Sequence, residues 1–148
     1  GNKLGVRVIL GNMATIAIAK KEYDVSLVLF KESLLISQQI GDEFGESKAL
    51  QNISLIYVKE GDYDAALEHS QQSLEIKEKM EDESGASEVM VNIGNIYFHQ
   101  GRESEAFNYW RKAFKTAQKI GNHKVIKAVE LIISEFSDDE MKTWQAQL

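Results

Sequence analysis

The 148-residue sequence contains no cysteine and no proline. Without thiols the chain forms no disulfide and no thiolate metal site, and thiol catalysis is excluded; a cytoplasmic location fits that usage. Without proline nothing interrupts the backbone donors, so nearly continuous helix with short connections is allowed. No apolar run approaches the roughly 18 residues of a spanning helix and no signal peptide opens the chain, so membrane insertion is not expected. Positive charge is also in short supply. Lys and Arg number 17 against 23 Asp and Glu, for a formal net charge of -6. General nucleic-acid binding requires the opposite, basic footprint, so a nucleic-acid partner is not expected.

Hydrophobic residues make up 43% and charged residues 27%, a balance that belongs to folded rather than disordered chains. The strongest signal is internal repetition at a period of forty residues. Asn52-Ile53-Ser54-Leu55-Ile56-Tyr57 returns as Asn92-Ile93-Gly94-Asn95-Ile96-Tyr97, and the first copy carries Asn12-Met13-Ala14-Thr15-Ile16-Ala17. "GDYDAAL" at 61–67 matches "GRESEAF" at 101–107 and "KEYDVSL" at 21–27. Such a period marks a repeat architecture.

Each copy reads as two helices. Leu50, Ile53, Ser54 and Tyr57 follow the i, i+3, i+4, i+7 spacing of one buried helical face. Gly61 then stops the helix and Asp62 caps the next, whose apolar face carries Ala66, Leu67, Leu74 and Met80. Gly41 and Gly121 stop second helices in the same way, whereas Lys21 and Glu81 replace glycine and predict turns of a different shape. Gly5, Gly45 and Gly85 predict close helix packing. A fourth copy is incomplete: after a helix over about 123–136, Ser137 to Glu140 form a capping-box pattern. Met141, Trp144 and Leu148 then recur at helical spacing and predict a capping helix.

A helix–turn–helix unit with a small residue at Ser54 or Gly94, Tyr three residues on, Gly61 or Gly101 and Ala at 66 or 106 resembles the tetratricopeptide repeat. The forty-residue variant is similar to that of Pins-type scaffolds, kinesin light chains and bacterial regulators. The resemblance covers essentially the whole chain. It implies an all-α fold, a right-handed superhelical solenoid of antiparallel helix pairs with about three and a half repeats plus the terminal cap. The repeats run about 1–40, 41–80 and 81–120, with a partial repeat and cap over 121–148 in a single domain. Both ends read as cuts through a longer array. Three features depart from the family pattern: the closing proline is absent, Ala17 replaces the tyrosine, and Ser70 replaces the large residue present as Phe30 and Trp110. The last predicts looser packing near Ser70.

The resemblance further implies that first helices line a concave groove that binds a partner peptide or helix. With Leu50 at the origin and about 100° per residue, Asn52 lies near 200°, facing away from its own core. Lys48, Leu55 and Lys59 share that face, as do Val8, Asn12, Thr15 and Ala19 in the first repeat and Glu88, Asn92, Asn95 and His99 in the third. A carboxamide offers an acceptor and two donors and can engage an extended backbone without reading its side chains. In relatives an asparagine at this repeat position contacts bound peptide, which the resemblance carries to Asn12, Asn52 and Asn92; the fourth copy has Ile132 there. Lys48 and Lys59 suit acidic side chains, and Glu88 keeps the groove from being uniformly basic.

Catalysis finds no footing. His69, His99 and His123 are well separated and none stands at metal-ligand spacing, so neither a metal nor a cofactor is expected. Trp110 sits in the column of Phe30 and reads as core. The reading is a non-enzymatic interaction scaffold with a protein or peptide partner. Its alternative is an assembly module whose repeat ends contact other copies of the chain.

Overall fold

A computed structural model describes the backbone of residues 1–146 and the side chains of residues 1–142. The chain runs through eight helices among the described residues: α1 (Lys3–Ala19), α2 (Tyr23–Ile40), α3 (Glu43–Glu60), α4 (Tyr63–Lys79), α5 (Glu83–His99), α6 (Glu103–Ile120), α7 (His123–Ile133) and α8 (Asp138–Ala146). No strand occurs among these residues. The architecture is all-α, built of antiparallel helix pairs with two-residue to four-residue connections. The chain forms two compact units, residues 1–76 and 77–148, with the boundary inside α4.

The helix ends explain why the period is so regular. Asn2, Asp42, Asp82 and Asn122 each accept a hydrogen bond from the backbone N–H three residues on, at Gly5, Gly45, Gly85 and Val125. These caps satisfy donors that a helix leaves unpaired at its start. A Cβ on Gly5, Gly45 or Gly85 would run into the capping side chain, and on Gly45 and Gly85 also into Ser37 or Lys77 of the preceding helix. Asp62 caps α4 in the same manner through Ala65.

The turns between helices correct one expectation. Gly61 adopts φ 79°, the left-handed conformation that ends a helix, and Lys21 and Glu81 adopt it too, at φ 62° and 57°. These two turns therefore keep the shape of the glycine turns. The Glu22 N–H reaches the Ala17 carbonyl and the Asp82 N–H the Lys77 carbonyl, as the Asp62 N–H reaches Tyr57. Closing the turn outweighs the strain of about 1–2 kcal/mol per residue.

In the first unit, Ala14, Phe30, Ile53 and Ile56 form a buried cluster, with Leu27, Leu34 and Tyr57 packed against it. Phe30 of α2 thus joins α1 to α3. Between α3 and α4 the core is polar. Ser54 Oγ lies 2.7 Å from Ser70 Oγ and donates to the Ala66 carbonyl at 2.8 Å, while Ser47 and Ser73 pair at 2.9 Å. Ser54 and Ser70 are both buried here, and the two small side chains satisfy each other. Met80, expected on the buried face of α4, is exposed.

In the second unit Trp110 fills the column that Phe30 and Ser70 occupy earlier, and only 2% of it is exposed. Its ring packs against Phe98 and Phe136 at centroid distances of 5.8 and 6.0 Å. Opposite it stands Gly94, whose smallness the indole requires: a Cβ there would lie 2.5 Å from both Cδ1 and Nε1. The facing pairs are thus Ala14 with Phe30, Ser54 with Ser70, and Gly94 with Trp110. In the third pair a larger residue on the second helix meets a smaller one on the first, as close packing demands.

At the chain's end the Ser137 N–H and hydroxyl donate to Glu140, and the Glu140 N–H returns to Ser137. The expected capping box starts α8. The side chains of Trp144 and Leu148 lie outside the described residues. On α1, Ile9, Met13 and Ile16 are 59%, 50% and 57% exposed, although their counterparts Ala49, Ile53 and Ile56 are buried.

Candidate functional site

In the first unit α1 and α3 are the first helices of successive repeats. Their facing turns bring Val8, Asn12 and Thr15 together with Lys48 and Asn52 around one recess of about 130 Å³. Phe30, Ser33 and Ala49 also line it, as do Gly11, Gly45, Phe44 and Arg7. All of these residues but Phe30 and Ser33 belong to α1 and α3, where residues four apart share a helical face.

The polar groups there are unequally committed. Asn12 is exposed and makes no side-chain hydrogen bond among the described residues. Asn52 donates through Nδ2 to the Lys48 carbonyl at 3.0 Å, which leaves its carbonyl oxygen and one N–H open. Thr15 turns its hydroxyl onto the Gly11 carbonyl at 2.9 Å. Lys48 is exposed and forms no ion pair among the described residues. Arg7 Nε lies 2.9 Å from Asp42 Oδ2 in a largely buried ion pair, with both atoms shielded from water and too poorly aligned to hydrogen-bond. With Asp42 matched by Arg7, Lys48 gives the recess an excess of positive charge. Leu55 and Lys59 lie farther along α3, both exposed and neither lining the recess.

In the second unit α5 carries the remaining candidates. Asn92 is exposed and makes no side-chain hydrogen bond among the described residues. Asn95 is committed: its Oδ1 accepts the Trp110 Nε1–H at 3.0 Å. A buried indole needs such a partner, so part of the hydrogen-bonding capacity of Asn95 serves the core. Glu88 pairs with Lys124 of α7 at 3.3 Å, an exposed contact worth little by itself. His99 is exposed beside Phe98, with ring centroids 6.5 Å apart.

Ionisation is perturbed at Asp82, where the Lys77 ammonium and then the Gly85 N–H hold the carboxyl below its ordinary value of 3.8. Tyr109 is shifted upward by burial, then by Tyr97 at a centroid distance of 5.6 Å. Neither residue lines the recess. No group of three or more His, Asp or Glu residues suited to a metal occurs among the described residues. No helix among them is long and apolar enough to cross a membrane.

Repeated helix pairs with polar, uncommitted side chains on their first helices define a helical-repeat scaffold. The chain belongs to the tetratricopeptide repeat family: one family model matches residues 5–79 and a second matches residues 88–120. No curated protein sequence matches it significantly. Among solved structures, the tetratricopeptide repeat domain of Arabidopsis FLU is similar, with a TM-score of 0.74 and 19% identity over 79% of this chain and 98% of that one. The apo form of RapI gives 0.77 and 26%, covering 91% of this chain and 50% of that one. The Rap conjugation gene regulator of plasmid pLS20, solved in complex with a Phr peptide, gives 0.80 and 16%, covering 99% of this chain and 40% of that one. The chain thus spans half or less of these two Rap proteins.

Sequence columns alone singled out Asn12, Lys48 and Asn52. They missed Arg7, Gly11, Ser33 and Phe44. A comparison of Gly11 with Gln51 and Val91 in the other copies would have flagged that position, since glycine inside a helix is unfavourable.

Proposed function

We propose that the chain is a non-enzymatic interaction scaffold whose first helices hold a peptide or helical segment of a partner protein. The observation that carries this reading is the convergence of Asn12, Asn52 and Lys48 on one recess, with the Asn12 carboxamide, the Asn52 carbonyl oxygen and the Lys48 ammonium left open. Asn12 and Asn52 offer donors and acceptors to a backbone, and Lys48 favours an acidic side chain nearby. In the second unit, Asn92 on the corresponding face of α5 offers the same carboxamide chemistry to a partner, with Asn95 and His99 on the same helix. The fold similarity to RapI, and to a Rap regulator solved with a peptide, supports a protein or peptide partner.

Affinity capture with wild type and an Asn12→Ala, Asn52→Ala, Asn92→Ala variant, read by mass spectrometry, tests the proposal. Capture should be lost in the variant while helical circular dichroism is unchanged. Equal capture by both proteins would overturn it.

A second reading, self-association, is favoured by the exposed Ile9, Met13 and Ile16 stripe on α1, since contiguous exposed apolar surface marks interaction sites. It predicts a concentration-dependent mass in light scattering that is lost when the three become glutamine. A strict monomer at high concentration removes it.

A further inference from the structure

The α1–α3 recess has a counterpart in register within the same chain, and the two are filled differently. Eighty positions on from Gly11, Gly45 and Ala49 stand Val91, Val125 and Val129. All three valines are buried. The second unit therefore fills these positions with its own branched aliphatic side chains, whereas the first leaves a recess of about 130 Å³ floored by Phe30, Ala49 and Ser33.

Gly45 is explained by its cap, because a Cβ there would strike Asp42. Gly11 is not explained by packing. It lies inside α1, where glycine weakens a helix relative to alanine. A Cβ there would meet nothing nearer than Ser33 Oγ at 4.0 Å. The consequence of glycine at this position is that the recess stays open.

We infer that this recess is a side-chain subsite for one branched aliphatic residue, leucine, isoleucine or valine, of an extended peptide, and that Gly11 sets its depth. The inference rests on the peptide-binding reading. Asn12 and Asn52 on the rim hold the backbone on either side, and the ligand's side chain takes the place of the valines that the first unit lacks. Ser33, buried on the floor, has its hydroxyl turned to the Arg7 carbonyl at 3.3 Å, so it does not project a competing donor into the space.

The test is an NMR titration of the isotope-labelled chain with N-acetyl-leucine-N-methylamide, with N-acetyl-glycine-N-methylamide as the comparison ligand. The leucine compound should move the amide signals of Gly11, Ser33 and Ala49 saturably, and the glycine compound should not. Gly11→Ala should weaken the response, and Gly11→Val should weaken it about tenfold or more by filling the site. Circular dichroism melting verifies that both variants remain folded. Equal shifts with the two compounds, no saturable shift, or an unchanged response in folded Gly11→Val would overturn the inference. If leucine selectivity fails while capture still depends on Asn12, Asn52 and Asn92, the subsite alone falls. If the titration succeeds while capture ignores those asparagines, the peptide-binding reading falls instead.

Discussion

Gly94→Ala isolates the packing logic of the repeat. In an open helix, glycine to alanine gains about 1 kcal/mol of propensity. At position 94 the new methyl would sit 2.5 Å from two indole atoms of Trp110 and 3.1 Å from the Ala106 carbonyl oxygen. To restore an ordinary contact the indole must retreat by about 1 Å. It is buried among Phe98 and Phe136 and tied to Asn95, so overpacking costs about 1–3 kcal/mol and the strained hydrogen bond about 1 more. The balance is a net loss of about 1–3 kcal/mol, or a fall in Tm of about 3–10 °C for a chain of this size. Gly11→Ala has no such clash and should raise Tm. Combining Gly94→Ala with Trp110→Phe recreates the Ala14 and Phe30 pair, and the double variant should be less damaged than the sum of the singles by about 1 kcal/mol. Urea and thermal melts of the set decide the matter. The reasoning is refuted if Gly94→Ala stabilises as Gly11→Ala does, or if the two substitutions simply add.

Lys21→Gly and Glu81→Gly should each stabilise by about 0.5–1 kcal/mol, since relief of left-handed strain exceeds the added unfolded-state freedom; a lower Tm in either variant contradicts this. Ser54→Ala removes the partner of the buried Ser70 hydroxyl and the second donor to the Ala66 carbonyl and should cost about 1–2 kcal/mol, while adding Ser70→Ala should recover part of that loss, as a double-mutant cycle will show. Asp82, its folded pKa depressed below 3.8, contributes stability that is fully present above that value and disappears as pH falls through the folded pKa. Asp82→Asn should therefore lower stability at neutral pH and shrink the gap to wild type as acid is added below about pH 4; a gap independent of pH would show that the carboxylate charge plays no part.

The fold was legible because its signals are local. Asp62, Gly61 and the apolar spacing of Leu50, Ile53 and Tyr57 each act within a few residues, and repetition confirmed each against its copies. What escaped depends on partners distant in sequence. Asn95 looked like a groove residue because its angle on α5 is right, but only the orientation of the Trp110 ring, fifteen residues on, shows that its oxygen is claimed. Ser70 reads as a gap within its own column, and only its hydrogen bond to Ser54, sixteen residues away, shows how its hydroxyl is used. The turns at Lys21 and Glu81 depart from the glycine turns in residue preference but not in shape, which backbone hydrogen bonds impose. At the candidate site, helical angle sufficed to gather Asn12, Lys48 and Asn52. The recess between them was invisible because it is defined by atoms that are missing from Gly11, Gly45 and Ala49.

The matched pairs Ala14 with Phe30, Ser54 with Ser70 and Gly94 with Trp110 also constrain how such an array can be rearranged. Exchanging α6 for α2 alone would set Phe30 against Gly94 and Trp110 against Ala14, leaving a void in one hairpin and a collision in the other. Exchanging both helices of a hairpin carries the match along. The smallest piece of this chain that can be duplicated or shuffled without an unstable intermediate is therefore the complete helix pair, and recombination breakpoints are tolerated in the turns at 41–42 and 121–122 rather than in those at 21–22 and 101–102.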